Sequence, residues 1–370
     1  MRPLITLVSC VLLFSCFTYA IDARSQRAEA IFTSFQSDHT PGLAVLVLKD
    51  GRTLFEQEYG VSDLRSLHKV DARINFRLAS DTKQFTAMAI MLLVHDGKLH
   101  YEDRLTDVFP DFPEYGRAIT IRQLLNHTSG LLDYEDLMAK PSPDVPADSV
   151  PQIQDSEVLQ LLKQQKTTKF TPGSNWDYSN SGYVLLGTIV GKVSGESFGD
   201  FLRDRIFAPL KMSRTLAYEK GKNEIPDRAY GYSNQRGKWV ETDQSPTSAT
   251  LGDGGVYSSL ADLTQWDKAL SDHSLLSQSE FRAALTPVKV RGKGPVEPNG
   301  TPAEYGFGWF LNAYKRFTRM WHYGETVGFR STIQRFPDQK LTIIILCNRA
   351  DITPAKLALR LADVYLENGN

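Results

Sequence analysis

Ser80 and Lys83, in the stretch Phe76-Arg-Leu-Ala-Ser-Asp-Thr-Lys-Gln-Phe-Thr-Ala87, set a hydroxyl and an amine three residues apart, on one face of a helix where they can meet. A serine hydroxyl is a weak nucleophile until a neighbouring base takes its proton. A lysine can be that base only where desolvation or positive neighbours lower its pKa. The residues that follow predict such a setting. Phe85, Ala87, Met88, Ala89, Ile90, Met91, Leu92, Leu93 and Val94 make a helix apolar nearly all round, the pattern of a buried element. Gly97 then stops it. A nucleophile at the start of such a helix has free backbone N–H groups beside it, suited to a developing oxyanion.

An isolated Ser-x-x-Lys recurs by chance, and three later segments decide its meaning. Phe170-Thr-Pro-Gly-Ser-Asn-Trp-Asp-Tyr-Ser-Asn-Ser-Gly-Tyr-Val-Leu-Leu-Gly187 carries Tyr178 and Asn180 on a Pro/Gly-bounded loop that enters a second apolar helix. Gly252-Asp-Gly-Gly-Val-Tyr-Ser-Ser259 is a glycine-rich turn before a helix capped at Ser258 or Ser259. Trp321-His-Tyr-Gly-Glu-Thr-Val-Gly-Phe329 places a His-x-Gly element, His322 and Gly324, on or beside a strand.

In this order the segments resemble the serine beta-lactamase and penicillin-binding-protein superfamily, for which Ser-x-x-Lys is a signature. The branch most similar contains class C beta-lactamases, D-alanyl-D-alanine carboxypeptidases and related esterases. The likeness runs from about Gly42 to Arg349 and includes Ile119-Thr-Ile-Arg-Gln-Leu-Leu-Asn-His-Thr-Ser-Gly-Leu131 and Tyr305-Gly-Phe-Gly-Trp309. The resemblance implies Ser80 as acylated nucleophile and Lys83 as its amine partner. It implies Tyr178 as a phenolate or proton shuttle if cations lower its pKa, and Asn180 as the amide that meets the lysine and the substrate carbonyl. It places His322 where beta-lactamases usually carry the lysine of Lys-Thr-Gly, and Gly324 at the glycine, where a missing side chain lets substrate lie along the strand. The backbone N–H groups of Ser80 and Glu325 then form the oxyanion hole.

His322 and Tyr323 depart from the family lysine and threonine that hold a substrate carboxylate. A histidine near its unperturbed pKa of about 6.5 is a weaker, pH-dependent anchor for an anion. Glu325 adds a negative charge there, and Arg330 is the nearby cation able to restore an anion site. The resemblance therefore implies acyl transfer to water from an ester or amide. A D-alanyl-D-alanine carboxypeptidase or a class C-type beta-lactamase is the alternative enzyme. A silent penicillin-binding-like sensor or scaffold is the alternative from another class, and intact Ser80, Lys83, Tyr178 and Asn180 argue against it. The expected partner is a small molecule or peptide, cell-wall-derived peptides included.

At 370 residues and a net charge of −1, the chain can bury a large core and gives no reason to expect nucleic acid or an acidic membrane as partner. Its seven histidines form no short-spaced pair, and neither a metal site nor a cofactor is expected. His127 reads as a structural histidine at a turn and Asp253 as a turn former. Trp176, Tyr257 and Trp309 fit either the cleft wall or the core. Arg2, the apolar run Leu4 to Phe17 and Thr18-Tyr19-Ala20 form the pattern of a secretory signal cleaved after about Ala20, with no transmembrane helix left in the mature chain. That pattern predicts a periplasmic or secreted protein. Leu13-Phe14-Ser15-Cys16 partly resembles a lipoprotein box, which keeps lipidation at Cys16 as an alternative. Cys347 is then the one mature cysteine, on a buried strand.

These residues need a frame to hold them. Leu43 to Leu48 and Thr53 to Tyr59 read as a hairpin across Asp50-Gly51. Tyr305 to Leu311, Phe317 to Tyr323, Phe329 to Phe336 and Leu341 to Cys347 read as successive strands, and Thr353 to Leu366 as a closing helix. The expected fold class is α+β: an antiparallel sheet flanked by helices and built from residues 21–102 and 251–370. Residues 103–250 form a mainly helical insertion, and the cleft lies between the two parts. The stretches Leu137 to Gln154 and Lys289 to Thr301 read as loops bordering that cleft.

Overall fold

The computed structural model describes residues 23–139 and 151–366. The expected signal segment with Cys10 and Cys16, and most of the 137–154 loop, lie outside the described residues.

Apolar, β-branched runs at both ends of the chain meet in one sheet. In chain order the strands are β1 (Leu43–Lys49), β2 (Arg52–Tyr59), β3 (Val61–Asp63), β4 (His68–Lys69), β5 (Phe76–Arg77), β6 (Leu216–Ala217), β7 (Tyr232–Gln235), β8 (Lys238–Glu241), β9 (Val256–Ser258), β10 (Glu304–Tyr305), β11 (Phe310–Tyr314), β12 (Phe317–Thr326), β13 (Phe329–Phe336) and β14 (Leu341–Cys347). Seven of them make an antiparallel sheet in the order β10-β11-β12-β13-β14-β1-β2. The two ends of the chain are zipped together by β1 and β14, from Leu43 opposite Cys347 to Lys49 opposite Leu341.

Both faces of this central pair are covered, which is why its sequences are continuously apolar rather than alternating. Ala44, Leu46, Ile344 and Leu346 enter the larger core, which also holds Phe85, Ala89 and Leu93. Val45, Val47, Ile343 and Ile345 point the other way. The C-terminal helix Pro354–Leu366 closes that side with Ala358, Leu361 and Ala362. The helix Lys83–His95 is buried from Lys83 to Leu93 and packs on the helix Asn180–Ser194.

Three expectations change in detail. Tyr305 to Leu311 is not one strand, because the chain doubles back at Gly306-Phe307-Gly308 and pairs Tyr305 with Phe310. β12 runs three residues further than expected, to Thr326. Residues 103–250 carry, besides their helices, β6, which pairs with β9, and the hairpin β7–β8. The signal for that hairpin is its turn, where the Asn234 side chain accepts the Gly237 N–H at 2.9 Å. No helix of the described residues is long and apolar enough to cross a membrane.

Candidate active site

Ser80 lies on a 3₁₀ turn, Ala79–Thr82, directly before the buried helix, and Lys83 is the first residue of that helix. The turn is tight. Ala79 takes the left-handed conformation with φ of 47°, which costs a non-glycine residue about 1–2 kcal/mol, the kind of strain that collects at reactive sites. Ser80 keeps partial exposure while its neighbours Ala79, Asp81 and Lys83 are buried.

Lys83 has no exposed surface. Its Nζ reaches Ser80 Oγ at 3.0 Å, Asn180 Oδ1 at 2.9 Å and the backbone carbonyl of Asp253 at 2.9 Å. Burial pushes its pKa down to about 8, against the raising influence of Asp253, Glu135, Asp133 and Asp81. Two of the three partners can only accept. A neutral amine therefore spends its two N–H bonds on Asn180 and Asp253 and leaves its lone pair aimed at the Ser80 hydroxyl.

The amide of Asn180 is itself oriented. Its Nδ2 donates to Glu135 Oε1 at 3.1 Å, which turns its oxygen toward Lys83. It opens the helix Asn180–Ser194, whose N-cap Ser179 accepts the Gly182 N–H at 3.0 Å. The Tyr178 ring centroid lies 4.9 Å from Lys83 Nζ. Its hydroxyl faces Ser80 without a hydrogen bond of ordinary geometry to any described residue. Burial, the dominant cause, holds the phenol well above its usual pKa. The expected cation-stabilised phenolate is thus corrected to a neutral phenol, because loss of water outweighs the single nearby amine.

His322 also differs from expectation. It is fully buried, and both ring nitrogens are engaged: Nδ1 donates to the Tyr323 carbonyl at 2.8 Å, and Nε2 accepts from the Tyr305 hydroxyl at 3.1 Å. Burial first, and Lys83 second, push its pKa down to about 3. It is neutral at physiological pH, so it neither anchors an anion by titrating near neutrality nor has a free nitrogen to activate water. Arg330 does not restore an anion site either. Its guanidinium pairs with Glu325 at 3.0 Å and donates to the carbonyls of Thr326 and Phe329.

β11 pairs with β12 only as far as Trp321, so His322 to Thr326 border the cleft without a strand beyond them. Gly324 is needed here for a different reason from the one expected. A Cβ on it would stand 1.9 Å from the Leu78 carbonyl oxygen and 2.3 Å from Ser331 Oγ. The absent side chain lets β12 press against the segment entering the Ser80 turn. Ser331 Oγ fastens that junction, 2.9 Å from Leu78 O and 2.6 Å from Asp81 Oδ2. The Asp81 carboxyl is fully buried and pushed up to about 7, mainly by burial. Glu325, next along β12, sends its side chain to solvent, where it pairs with Arg330.

An aromatic group of Trp176, Tyr305, Phe310 and Trp321, with Tyr178 and Tyr323 against it, forms the wall beside these residues. Trp309 is core, and Tyr257 is buried in β9. The loop from Lys289 reaches this wall, the Lys293 carbonyl accepting the Trp176 N–H at 2.8 Å.

Of the seven residues singled out on sequence grounds, Ser80, Lys83, Tyr178, Asn180 and His322 come together from three distant segments, Gly324 presses β12 against Leu78 before the Ser80 turn, and Glu325 turns its side chain to solvent. Two contributors were not found. Asp253 acts through its backbone carbonyl, which no side-chain pattern can reveal, while its carboxyl accepts from the Tyr134 hydroxyl at 3.2 Å. Glu135 lies on a short helix, Tyr134–Leu137, whose acidic residues read as ordinary first-turn charges.

Comparison with known proteins agrees with this geometry. The beta-lactamase family profile matches residues 26–366. Penicillin-binding protein 4* of Bacillus subtilis is 32% identical over 348 residues, covering 91% of this chain and 74% of its own. D-amino acid amidase from Ochrobactrum anthropi, solved with L-phenylalanine amide, superposes with a TM-score of 0.76 at 26% identity over 94% of this chain and 98% of its own. The octameric penicillin-binding protein homologue from Pyrococcus abyssi gives 0.75 at 25% identity, over 94% and 77%. A match across nearly the whole chain, joined to a lysine buried against a serine, shows that this protein belongs to the beta-lactamase family of serine hydrolases.

Proposed function

We propose that the protein hydrolyses an ester or amide without a carboxylate through an acyl-enzyme on Ser80. Neutral Lys83 takes the Ser80 proton as Oγ attacks the substrate carbonyl carbon, and the C–O bond forms as the carbonyl pair moves to oxygen. The backbone N–H groups of Ser80 and Glu325 receive that oxyanion. Tyr178, a phenol at working pH, passes its proton to the leaving group and regains one from the Lys83 ammonium. Water then attacks the acyl-enzyme along the same route in reverse, giving up its proton toward Lys83 and releasing the acid. The observation that carries this reading is the Lys83 amine, buried and held by two pure acceptors with its remaining direction toward Ser80 Oγ.

The charges around the cleft support the substrate class. The family lysine is replaced by a neutral histidine, Arg330 is neutralised by Glu325, and Glu135 adds a carboxylate beside Asn180. Such a mouth disfavours the carboxylate of a beta-lactam or a peptide terminus. It suits esters and amides that carry no carboxylate, whether neutral or with the cationic α-amine of an amino acid amide of the kind named for the Ochrobactrum relative. The test is a comparison of kcat/KM for a short p-nitrophenyl ester, D-phenylalanine amide, a chromogenic cephalosporin and a peptide ending in D-Ala-D-Ala. The ester or amide should exceed the two carboxylate-bearing substrates by about tenfold or more, the size of one well-placed charge. A cephalosporin turned over fastest would overturn the substrate assignment. The N-terminal charge and apolar run support export, which sequencing the N-terminus of protein from the cell envelope would test.

A further inference from the structure

His127 is a buried group beside Tyr178 that the proposed chemistry leaves unused. It follows the short helix Ile121–Leu125 and has no exposed surface. Its backbone carbonyl accepts the Asp177 N–H at 3.0 Å, and its Nδ1 accepts the Ser179 N–H at 3.1 Å. One residue thus holds the chain on both sides of Tyr178. Its ring also lies against the Tyr178 ring, with centroids 4.4 Å apart and planes inclined by 36°. Tyr183 and Tyr305 close in behind it at 5.1 and 4.7 Å.

Two features mark this histidine as more than filler. It adopts φ of 62°, in the left-handed region that is uncommon outside glycine, although histidine is one of the residues found there more often. Because Nδ1 accepts, the proton of the neutral ring sits on Nε2, and Nε2 has no partner among the described residues. A fully buried donor without an acceptor opposes stability, and a left-handed backbone is an uncommon choice even for histidine. What they preserve is the acceptor at Nδ1 and the ring face. Tyr178 needs such support, since its hydroxyl makes no hydrogen bond of ordinary geometry to any described residue and its place is set by its backbone and by ring contacts with His127, Trp176, His322 and Lys83.

We infer that His127 is a positioning residue for Tyr178, bracketing it through Asp177 and Ser179 so that the phenol faces the Ser80 oxygen and the leaving group. The inference rests on the proton-shuttle reading of Tyr178. It touches neither substrate nor the reacting atoms, and it works through the tyrosine.

Amide substitutions separate the two ring nitrogens. In His127→Asn the side-chain oxygen stands near the position of Nδ1 and the residue tolerates left-handed backbone. In His127→Gln the amide stands near Nε2, and the Ser179 N–H loses its acceptor. On a neutral p-nitrophenyl ester, His127→Asn should retain kcat within about threefold. His127→Gln should lose roughly 10- to 100-fold in kcat, the scale of a displaced catalytic group, with KM within about threefold. In a Tyr178→Phe background the same Gln substitution should cost less than about threefold, because coupled residues do not add. Equal losses in both backgrounds, or equal kcat for the Asn and Gln variants, would overturn the inference. Should His127→Gln fail to fold, His127→Asn decides alone, and a kcat loss above tenfold contradicts it. Tyr178→Phe as active as the wild type would instead remove the shuttle reading, a separate outcome read from a separate protein.

Discussion

In the proposed mechanism Lys83 is the general base, and its surroundings predict how the rate depends on pH and on its replacement. Its pKa is lowered to about 8 by burial, and the reactive form is the deprotonated one. The acylation rate should therefore rise with pH through about 8 and then level off, measured as kcat/KM on a neutral ester or as the labelling rate with a fluorophosphonate. His322, held neutral down to about 3, should add no second limb near 6.5, and its absence is checked on the same profile. Replacement of Lys83 by arginine, which stays protonated, should cost at least about 100-fold in acylation. Near-normal turnover by Lys83→Arg would take the amine out of the mechanism. The sequence could place Lys83 beside Ser80 by spacing alone. The family resemblance implied that Asn180 meets the amine, but nothing in the sequence pointed to the Asp253 carbonyl, 170 positions away, as its other acceptor.

At the scale of elements, the most exacting junction is β12 against the turn that carries Ser80. Gly324→Ala would force a methyl group to within 1.9 Å of the Leu78 carbonyl, and neither backbone can yield without moving the other. Such overpacking should cost about 1–3 kcal/mol, read as a lower urea midpoint at unchanged slope. Because the shift separates Ser80 from Glu325, acylation should fall by at least about tenfold in protein that remains folded. A variant with normal stability and normal labelling would show that the close approach is not required. Element identity was legible wherever one periodicity dominated. Phe329–Phe336 and Leu341–Cys347 have the bounds the sequence predicts, and Ser259 caps its helix through the Asp262 N–H as expected. It was not legible where tertiary pairing decides: the fold-back between Tyr305 and Phe310, and β6, a two-residue strand that exists only because β9 lies beside it. The titration behaviour of Tyr178 and His322 was hidden for a related reason. Burial sets both values, and burial belongs to the assembled cleft rather than to any local run.

For the whole molecule, the sheet is closed by its own termini, and the cleft depends on that closure only indirectly. Ile345 has no exposed surface and belongs to the core beneath the C-terminal helix, on the sheet face turned away from the larger core. Ile345→Ala should lower stability by about 2–5 kcal/mol while leaving the labelling rate of the folded fraction within about twofold of the wild type. A matching loss of labelling rate would show that the sheet transmits strain to the site. The central claim is that Ser80 is the nucleophile and that the protein reacts through it. Its most direct measurement is intact-mass analysis after incubation with a fluorophosphonate, followed by peptide mapping of the wild type and Ser80→Ala. The wild type should gain one adduct, mapped to Ser80, and Ser80→Ala should gain none. An adduct that persists in Ser80→Ala, or that maps to another residue in the wild type, would contradict the assignment.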